Sequence, residues 1–208
     1  MRRIRLTLLL TLALLLLPQP PPRAATPDPG AAPEGASLAG QLLIASPEIG
    51  DPRFQHTVIL MVRHNREGAF GIIINRPIEE RSLASLLEAI GQSGAGVEGR
   101  VRIFAGGPVE PTIGFILHSG EYHGTGTVAI DGHVAMTSNP DILRDIGAHQ
   151  GPQKSLVAFG YAGWGPGQLE GELQRHDWFT APEDAKLIFD EDRDQLWDAA
   201  MARRTLDL

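Results

Sequence analysis

The sequence contains no cysteine among its 208 residues. A chain without cysteine forms no disulfide, and it offers neither a thiolate nucleophile nor a cysteine-ligated metal site. It also lacks an uninterrupted apolar run of about 18 residues, the length that a membrane-spanning helix needs. These absences exclude disulfide scaffolds and cysteine enzymes, and they predict no transmembrane helix.

Positive charge is scarce, and part of it is concentrated near one end of the chain. The 18 basic and 25 acidic residues give a net charge of −7. Four of the basic residues lie within the first 25 positions, which contain no acidic residue: Arg2, Arg3, Arg5 and Arg23. The remainder therefore has 14 basic and 25 acidic residues, a net charge of −11. Because DNA binding relies on clustered Lys and Arg against phosphates, we expect no nucleic-acid partner.

Motifs typical of common enzyme classes are absent as well. The sequence has no G-x-S-x-G elbow, no H-E-x-x-H zinc motif and no paired-carboxylate pattern. Its glycine-rich segment at Gly106-Gly107-Pro108 is neither a phosphate-binding G-K-[ST] loop nor a G-x-G-x-x-G fingerprint. The sequence therefore predicts no catalytic residue, cofactor or metal site, and it favours a non-catalytic protein.

The first 25 residues have the layout of a secretory signal peptide. A basic segment, Met1–Arg5, precedes the apolar run Leu6–Leu17, and the small residues Ala24 and Ala25 offer a cleavage site. We therefore expect a periplasmic or secreted protein, or a cytoplasmic one if the leader is an over-long start. Residues 26–36 form a Pro/Ala-rich linker, and residues 37–208 are expected to form a single domain.

Apolar patterning predicts about eight short strands, with helices after the third, seventh and eighth. The apolar runs Thr57–Val62 and Ile72–Ile74 flank a polar turn containing Gly68, which indicates a β-hairpin. Pro77 lacks the N–H that a continuing strand would use, so it is expected to end the second run. A second hairpin turn is predicted at Asp131-Gly132.

Helical patterns alternate with these strands. Leucines at helical spacing predict a helix over Ser82–Ile90, with Ser82 as its N-cap. The buried strand Ser155–Trp164 leads into a further helix, with Pro166 expected in its first turn. From Asp184 onward, the apolar spacing predicts amphipathic helical turns.

Three segments, in this order, resemble one bacterial family. They are GQLLIASPEIGDPRF with the hairpin up to Pro77, GGPV followed by a strand ending in Leu117-His118, and GYAGW followed by GQLE at 167–170. From about Ser37 onward the chain is similar to the YqgE/AlgH family, whose biochemical role is unsettled. The resemblance implies an α+β fold with a mixed, largely antiparallel sheet bent into a pseudo-barrel and flanked by helices. Ile113 departs from the pattern, since the family usually has Arg there.

The candidate ligand groove combines residues at strand ends, turns and corners. They are Asp51, Arg53, His64, Asn75, Arg76, Gly106, Gly107, His118, Trp164, Gln168 and Glu170. Asp51 and Arg53 are either a charged pair lining a pocket or a turn residue and a solvated Arg. Arg76 binds an anion or locks the chain by donating to carbonyls.

Other candidates also have a structural alternative. His64 is either a base or ligand or a partner for the loop backbone, and no other residue at metal-ligand spacing accompanies it. The two glycines either cradle an anion or form a tight turn. Trp164 lines a site beside Gln168 and Glu170 or closes the core.

Three functional hypotheses follow. The first is a non-catalytic binding or regulatory module in the cell envelope, with a small molecule or an envelope protein as its partner. The second is a hydrolase that uses His64 or His118 as a base. The third is a transcriptional regulator, as some members of the resembling family are labelled, which the leader and the acidic charge disfavour.

Overall fold

A computed structural model of the protein describes residues 37–189 and 192–205. The predicted signal peptide, residues 1–25, and the predicted linker, residues 26–36, lie outside the described residues. In the described ranges, no helix is long and apolar enough to cross a membrane.

Ten strands and five α-helices are found in the described part of the chain. The strands are β1 Leu42–Ala45, β2 Val58–Asn65, β3 Gly68–Ile73, β4 Pro77–Ser82, β5 Arg100–Ala105, β6 Val109–Ser119, β7 Thr127–Ala129, β8 Val134–Thr137, β9 Ser155–Trp164 and β10 Trp178–Ala181. The helices are α1 Leu83–Ala89, α2 Asp141–Gly147, α3 Gln168–Gln174, α4 Ala185–Phe189 and α5 Leu196–Met201. A single 3-10 turn covers Pro52–Phe54.

One continuous sheet runs in the order β10-β1-β2-β3-β9-β6-β8-β7. Neighbouring strands along this path are antiparallel. Off the path, β4 pairs with β5, and β5 joins β9 in parallel. The sheet curls into a half-barrel with helices around it, which confirms the expected α+β class and largely antiparallel sheet.

Strands β1 to β3 form the centre of the core because they are buried on both faces. Alternate residues of β1 enter different apolar clusters: Leu42 and Ile44 pack with α4 and α5, whereas Leu43 and Ala45 pack with Trp164 and α3. Burial on both faces explains why these strands are almost uninterrupted apolar runs. A third cluster packs α1 and α2 against β5, β6 and β9.

Both predicted hairpins and the first helix are confirmed. Strands β2 and β3 are joined at Asn65–Gly68, and the turn at Asp131-Gly132 joins β7 to β8. Ser82 caps α1 by accepting a hydrogen bond from the backbone N–H of Ser85 at 3.1 Å. Pro166, however, lies before the first turn of α3, because Gly167 is the N-cap.

Two of the strands were not predicted from the sequence. Strand β10 has only four residues, and β4 is a solvent-exposed edge strand without apolar alternation. Pro77 begins β4, where a missing N–H is tolerated at the first residue of an edge strand. Pro77 thus separates β3 from a further strand.

The Gly106-Gly107 corner packs directly against the backbone of β9. The Gly106 N–H donates to the carbonyl of Phe159 at 2.7 Å, and its own carbonyl accepts from the Ile73 N–H at 2.8 Å. A Cβ on Gly107 would lie 2.0 Å from the carbonyl carbon of Tyr161. The corner is a close crossing of backbones, which accounts for both glycines by packing.

We expect Gly107→Ala to lower the free energy of unfolding by at least about 2 kcal/mol, because the new methyl group collides with β9. Gly50→Ala is the matched control, since a Cβ there meets nothing within 4 Å. Urea denaturation measures both variants, and equal midpoints for the two would contradict this account of the corner.

Candidate functional site

A cleft of about 360 Å³ lies between the 3-10 turn, the start of β6 and the first turns of α3. Trp164, the last residue of β9, and Trp178, the first residue of β10, form its apolar floor together with Phe54. The two indole centroids are 5.9 Å apart, with an interplanar angle of 80°. We call this feature the tryptophan cleft.

Glu172 on α3 fixes the floor of the tryptophan cleft. The indole N–H groups of Trp164 and Trp178 both donate to Glu172 Oε2 at 2.8 Å. The side-chain amide of Gln168 donates to Glu172 Oε1 at 2.8 Å. One carboxylate thus holds both indoles in a single orientation. Sequence reasoning missed Glu172, although its position four residues after Gln168 places both on one helix face.

Two Arg–Asp pairs line the opening of the cleft. Arg53 reaches Asp51 at 2.7 Å, and Arg175 reaches Asp177 at 2.9 Å. Both guanidinium groups are about two-thirds exposed, at 65% and 64%. The side-chain hydrogen bond from Arg53 holds the pKa of Asp51 below its ordinary value. Asp51 also accepts the backbone N–H of Arg53, so it is both a turn residue and part of the cleft.

Asn75 and Arg76 fix the loop that carries Asp51 and Arg53 at the opening of the cleft. The Arg76 guanidinium donates to the backbone carbonyls of Arg53 and, at 3.0 Å, Gln55. Asn75 accepts from the backbone N–H of Val58 at 2.9 Å and donates to a nearby carbonyl. Burial lowers the pKa of Arg76. The geometry matches the second alternative for Arg76, in which it locks the chain.

The structure brings His64 and Glu170 together across 106 positions. His64 Nε2 lies 3.0 Å from Glu170 Oε1, and its Nδ1 accepts the backbone N–H of Leu38 at 3.1 Å. The imidazole is only 9% exposed, so both ring nitrogens are engaged by the protein. His64 therefore ties the segment before β1 to the end of β2 and to α3.

His118 is completely buried inside the sheet. Its Nδ1 lies 3.0 Å from the carbonyl of Ser119, and its Nε2 lies 3.0 Å from Thr137 Oγ1. Thr137 in turn contacts Thr127 Oγ1 at 2.8 Å. An Nδ1–H tautomer satisfies this whole chain of hydrogen bonds. Burial lowers the pKa of His118, which favours the neutral ring.

The structure divides the eleven predicted groove residues into those that line the tryptophan cleft and those that do not. Four of them line the tryptophan cleft: Asp51, Arg53, Trp164 and Gln168. The other seven lie outside it in structural contacts, namely His64 with Glu170, Asn75 with Arg76, Gly106 with Gly107, and the buried His118. Arg175, Asp177, Trp178 and Glu172 complete the cleft and were absent from the predicted groove.

A family model described as AlgH-like, DUF179, matches residues 42–208. The chain belongs to the AlgH-like family. A UPF0301 protein of Sphingopyxis alaskensis is 47% identical over 171 residues, which cover 82% of this chain and 90% of the relative. A UPF0301 protein of Rhodospirillum rubrum is 42% identical over 170 residues, which cover 82% and 88% of the two chains.

Two solved structures have a similar fold. The solution structure of the AlgH protein from Pseudomonas aeruginosa has a TM-score of 0.70 and 39% identity, covering 83% of this chain and 90% of that one. A crystal structure of a protein from Corynebacterium diphtheriae has a TM-score of 0.62 at 18% identity, covering 80% and 87%, and shows the fold alone.

Ile113, the residue that is expected to depart from the family pattern, lies on β6 with 42% of its surface exposed and outside the lining of the tryptophan cleft. The cationic groups in that lining are Arg53 and Arg175.

We expect Glu172→Ala to lower the free energy of unfolding by about 2–4 kcal/mol, because two buried indole N–H groups lose their acceptor. Tryptophan emission should change in the folded state as well. Urea denaturation followed by fluorescence measures both effects. The control is Glu88→Ala, an exposed glutamate on α1; a Glu172 variant as stable as this control would refute the assigned role.

Proposed function

We propose that this AlgH-like protein is a non-catalytic binding module and that a small molecule occupies the tryptophan cleft. The observation that supports this proposal is the pair of indoles held by one carboxylate at the floor of a 360 Å³ cleft. Small-molecule sites have volumes of about 300–1,000 Å³, an apolar lining and a few placed polar groups. The cleft has a volume in this range and an aromatic floor, and its accessible lining is more polar than apolar.

The lining suggests the chemistry of the ligand. The partly exposed Phe54 and the accessible edges of Trp164 and Trp178, which are 7% and 3% exposed, offer a small apolar surface for a flat ring. Arg53 and Arg175 stand at the opening, each in an exposed ion pair that costs little to exchange. An acidic substituent on the ring would replace Asp51 or Asp177 as the partner of a guanidinium. We therefore propose an aromatic or heteroaromatic acid as the ligand class.

The two histidines give less support to the hydrolase hypothesis. His118 is fully buried, and both of its ring nitrogens have protein partners. His64 uses Nδ1 for a backbone N–H and Nε2 for Glu170. A general base needs a free ring nitrogen within reach of a substrate, and neither residue presents one.

We also propose that the binding module works in the periplasm. The support is the basic, apolar and small-residue order of the leader. The net charge of −11 after residue 25 counts against a DNA-binding regulator. Together these properties favour a soluble ligand of the cell envelope over a nucleic acid.

Binding in the cleft is measurable through its own tryptophans. In a Trp197→Phe background the remaining tryptophans, Trp164 and Trp178, both lie in the cleft. We expect aromatic acids from a metabolite panel, and the probe anilinonaphthalene sulfonate, to quench their emission and raise Tm. Arg175→Ala should weaken binding by about tenfold, the loss of one charged contact.

Arg81→Ala is the matched control for the arginine variant. Arg81 also forms an exposed ion pair with an acidic residue two positions away, Glu79, at 2.8 Å, and it lies outside the cleft. We expect the control to bind like the parent. Equal loss in both variants, or no quenching by any compound, would refute the proposed site.

Export is tested by fractionation and intact mass. We expect the native protein in the periplasmic fraction, shorter than the 208-residue chain by about 25 residues. A full-length cytoplasmic species would overturn the envelope proposal without affecting the ligand proposal, which depends on the cleft alone.

A further inference from the structure

The two ends of the curled sheet meet at a cluster of ionisable side chains. Strand β10 begins the strand order, and the hairpin of β7 and β8 ends it. Asp131 and His133 belong to the turn of that hairpin, and Glu183 belongs to the loop after β10. One potential ligand atom of each residue lies within 4.8 Å of the others. We call this cluster the seam cluster.

Glu183 is the unusual member of the seam cluster. Its side chain is only 14% exposed, and its Oε1 is buried without a hydrogen-bond partner among the described residues. Burial, and next the charge of Asp131, raise the pKa of Glu183, whereas His133 opposes that shift. A buried carboxylate oxygen without a donor is costly, so this oxygen needs a partner that the described residues do not supply.

The carboxylate of Asp131 is oriented by hydrogen bonds from the backbone of its own turn. Its Oδ1 accepts the backbone N–H groups of His133 at 2.7 Å and Val134 at 2.8 Å. The absence of a side chain at Gly40 leaves room for Oδ2, which lies 3.3 Å from the position of a Cβ there. Oδ1 is therefore held by the turn itself, and the turn leaves Oδ2 on the side of Glu183, whose pKa is raised by burial and also by its hydrogen bond with Asp131.

We propose that Asp131, His133 and Glu183 bind one divalent cation that joins the two ends of the sheet. His133 Nδ1 and Glu183 Oε2 are 3.8 Å apart. Atoms bound to a common cation at about 2.1 Å lie roughly 3–4.2 Å apart, so shifts of less than about 1 Å complete the site. The cation neutralises two carboxylates that otherwise repel each other.

The ligand types select the class of cation. Imidazole nitrogen favours transition metals such as Zn²⁺ over Ca²⁺ and Mg²⁺, and carboxylate oxygens also suit Mn²⁺. Three protein ligands leave at least one coordination position open to water, as in three-ligand zinc sites. We therefore assign the site to Zn²⁺ or Mn²⁺.

The experiment uses the untagged full chain after removal of metals with a chelator. Calorimetric titration with Zn²⁺, and separately with Mn²⁺, should show one cation bound per chain. At a cation concentration about a hundredfold above Kd, we expect Tm to rise by roughly 5–10 °C. Mg²⁺ and Ca²⁺ at the same concentration should leave Tm unchanged.

Variants separate the seam cluster from chance binding at surface histidines. Glu183→Gln and His133→Ala should each weaken binding at least about tenfold, whereas His123→Ala, an exposed histidine outside the cluster, should bind like the parent. Without metal, Glu183→Gln should be no less stable than the parent, because it removes the buried charge.

Two results would overturn the proposal. One is a metal response that both cluster variants retain, which would place the cation elsewhere. The other is a parent chain that ignores both cations while Glu183→Gln raises Tm, which would mean that the two carboxyl groups share a proton instead.

Discussion

The backbone crossing between β9 and the Gly106-Gly107 corner is the constraint on which the rest of the structure depends. Among the described strands, β9 alone has three neighbours: β6 on one side, and β5 followed by β3 on the other. The Gly106-Gly107 corner connects β5 to β6 and bridges β9 and β3, because it donates to Phe159 and accepts from Ile73 at a distance that leaves no room for side chains. The corner thereby joins the β4–β5 ribbon to the main sheet.

The tryptophan cleft follows from the same arrangement. The end of β9 that pairs with β3 places Trp164 at the edge of a buried apolar cluster, and the next residues lead directly into α3, where Glu172 accepts the indole N–H. The opposite wall depends on Arg76, which holds the carbonyls of the loop around Arg53. Arg76, which was predicted as a ligand contact, therefore affects the cleft only indirectly, by fixing the backbone of its wall.

Local signals allowed the hairpins and α1 to be predicted, because turn residues and apolar spacing determine them within a few positions. The fold class was implied by the resemblance to a known family. Strand β4 was missed because it is an exposed edge without apolar alternation. Glu172 and the seam cluster were missed for a different reason. A turn separates Trp164, at the end of β9, from Glu172 on α3, and Asp131 lies 52 positions before Glu183. Only tertiary packing brings such groups together.

Glu172 and Glu183 show how environment decides the role of one chemical group. Both carboxylates are partly buried. Glu172 receives two indole N–H groups and an amide N–H, so its charge is fully solvated by the protein. Glu183 faces another carboxylate and has a buried oxygen without a described donor. The first can serve as a fixed part of a binding floor, whereas the second lies beside the imidazole of His133, a ligand type that favours transition-metal cations over Ca²⁺ and Mg²⁺.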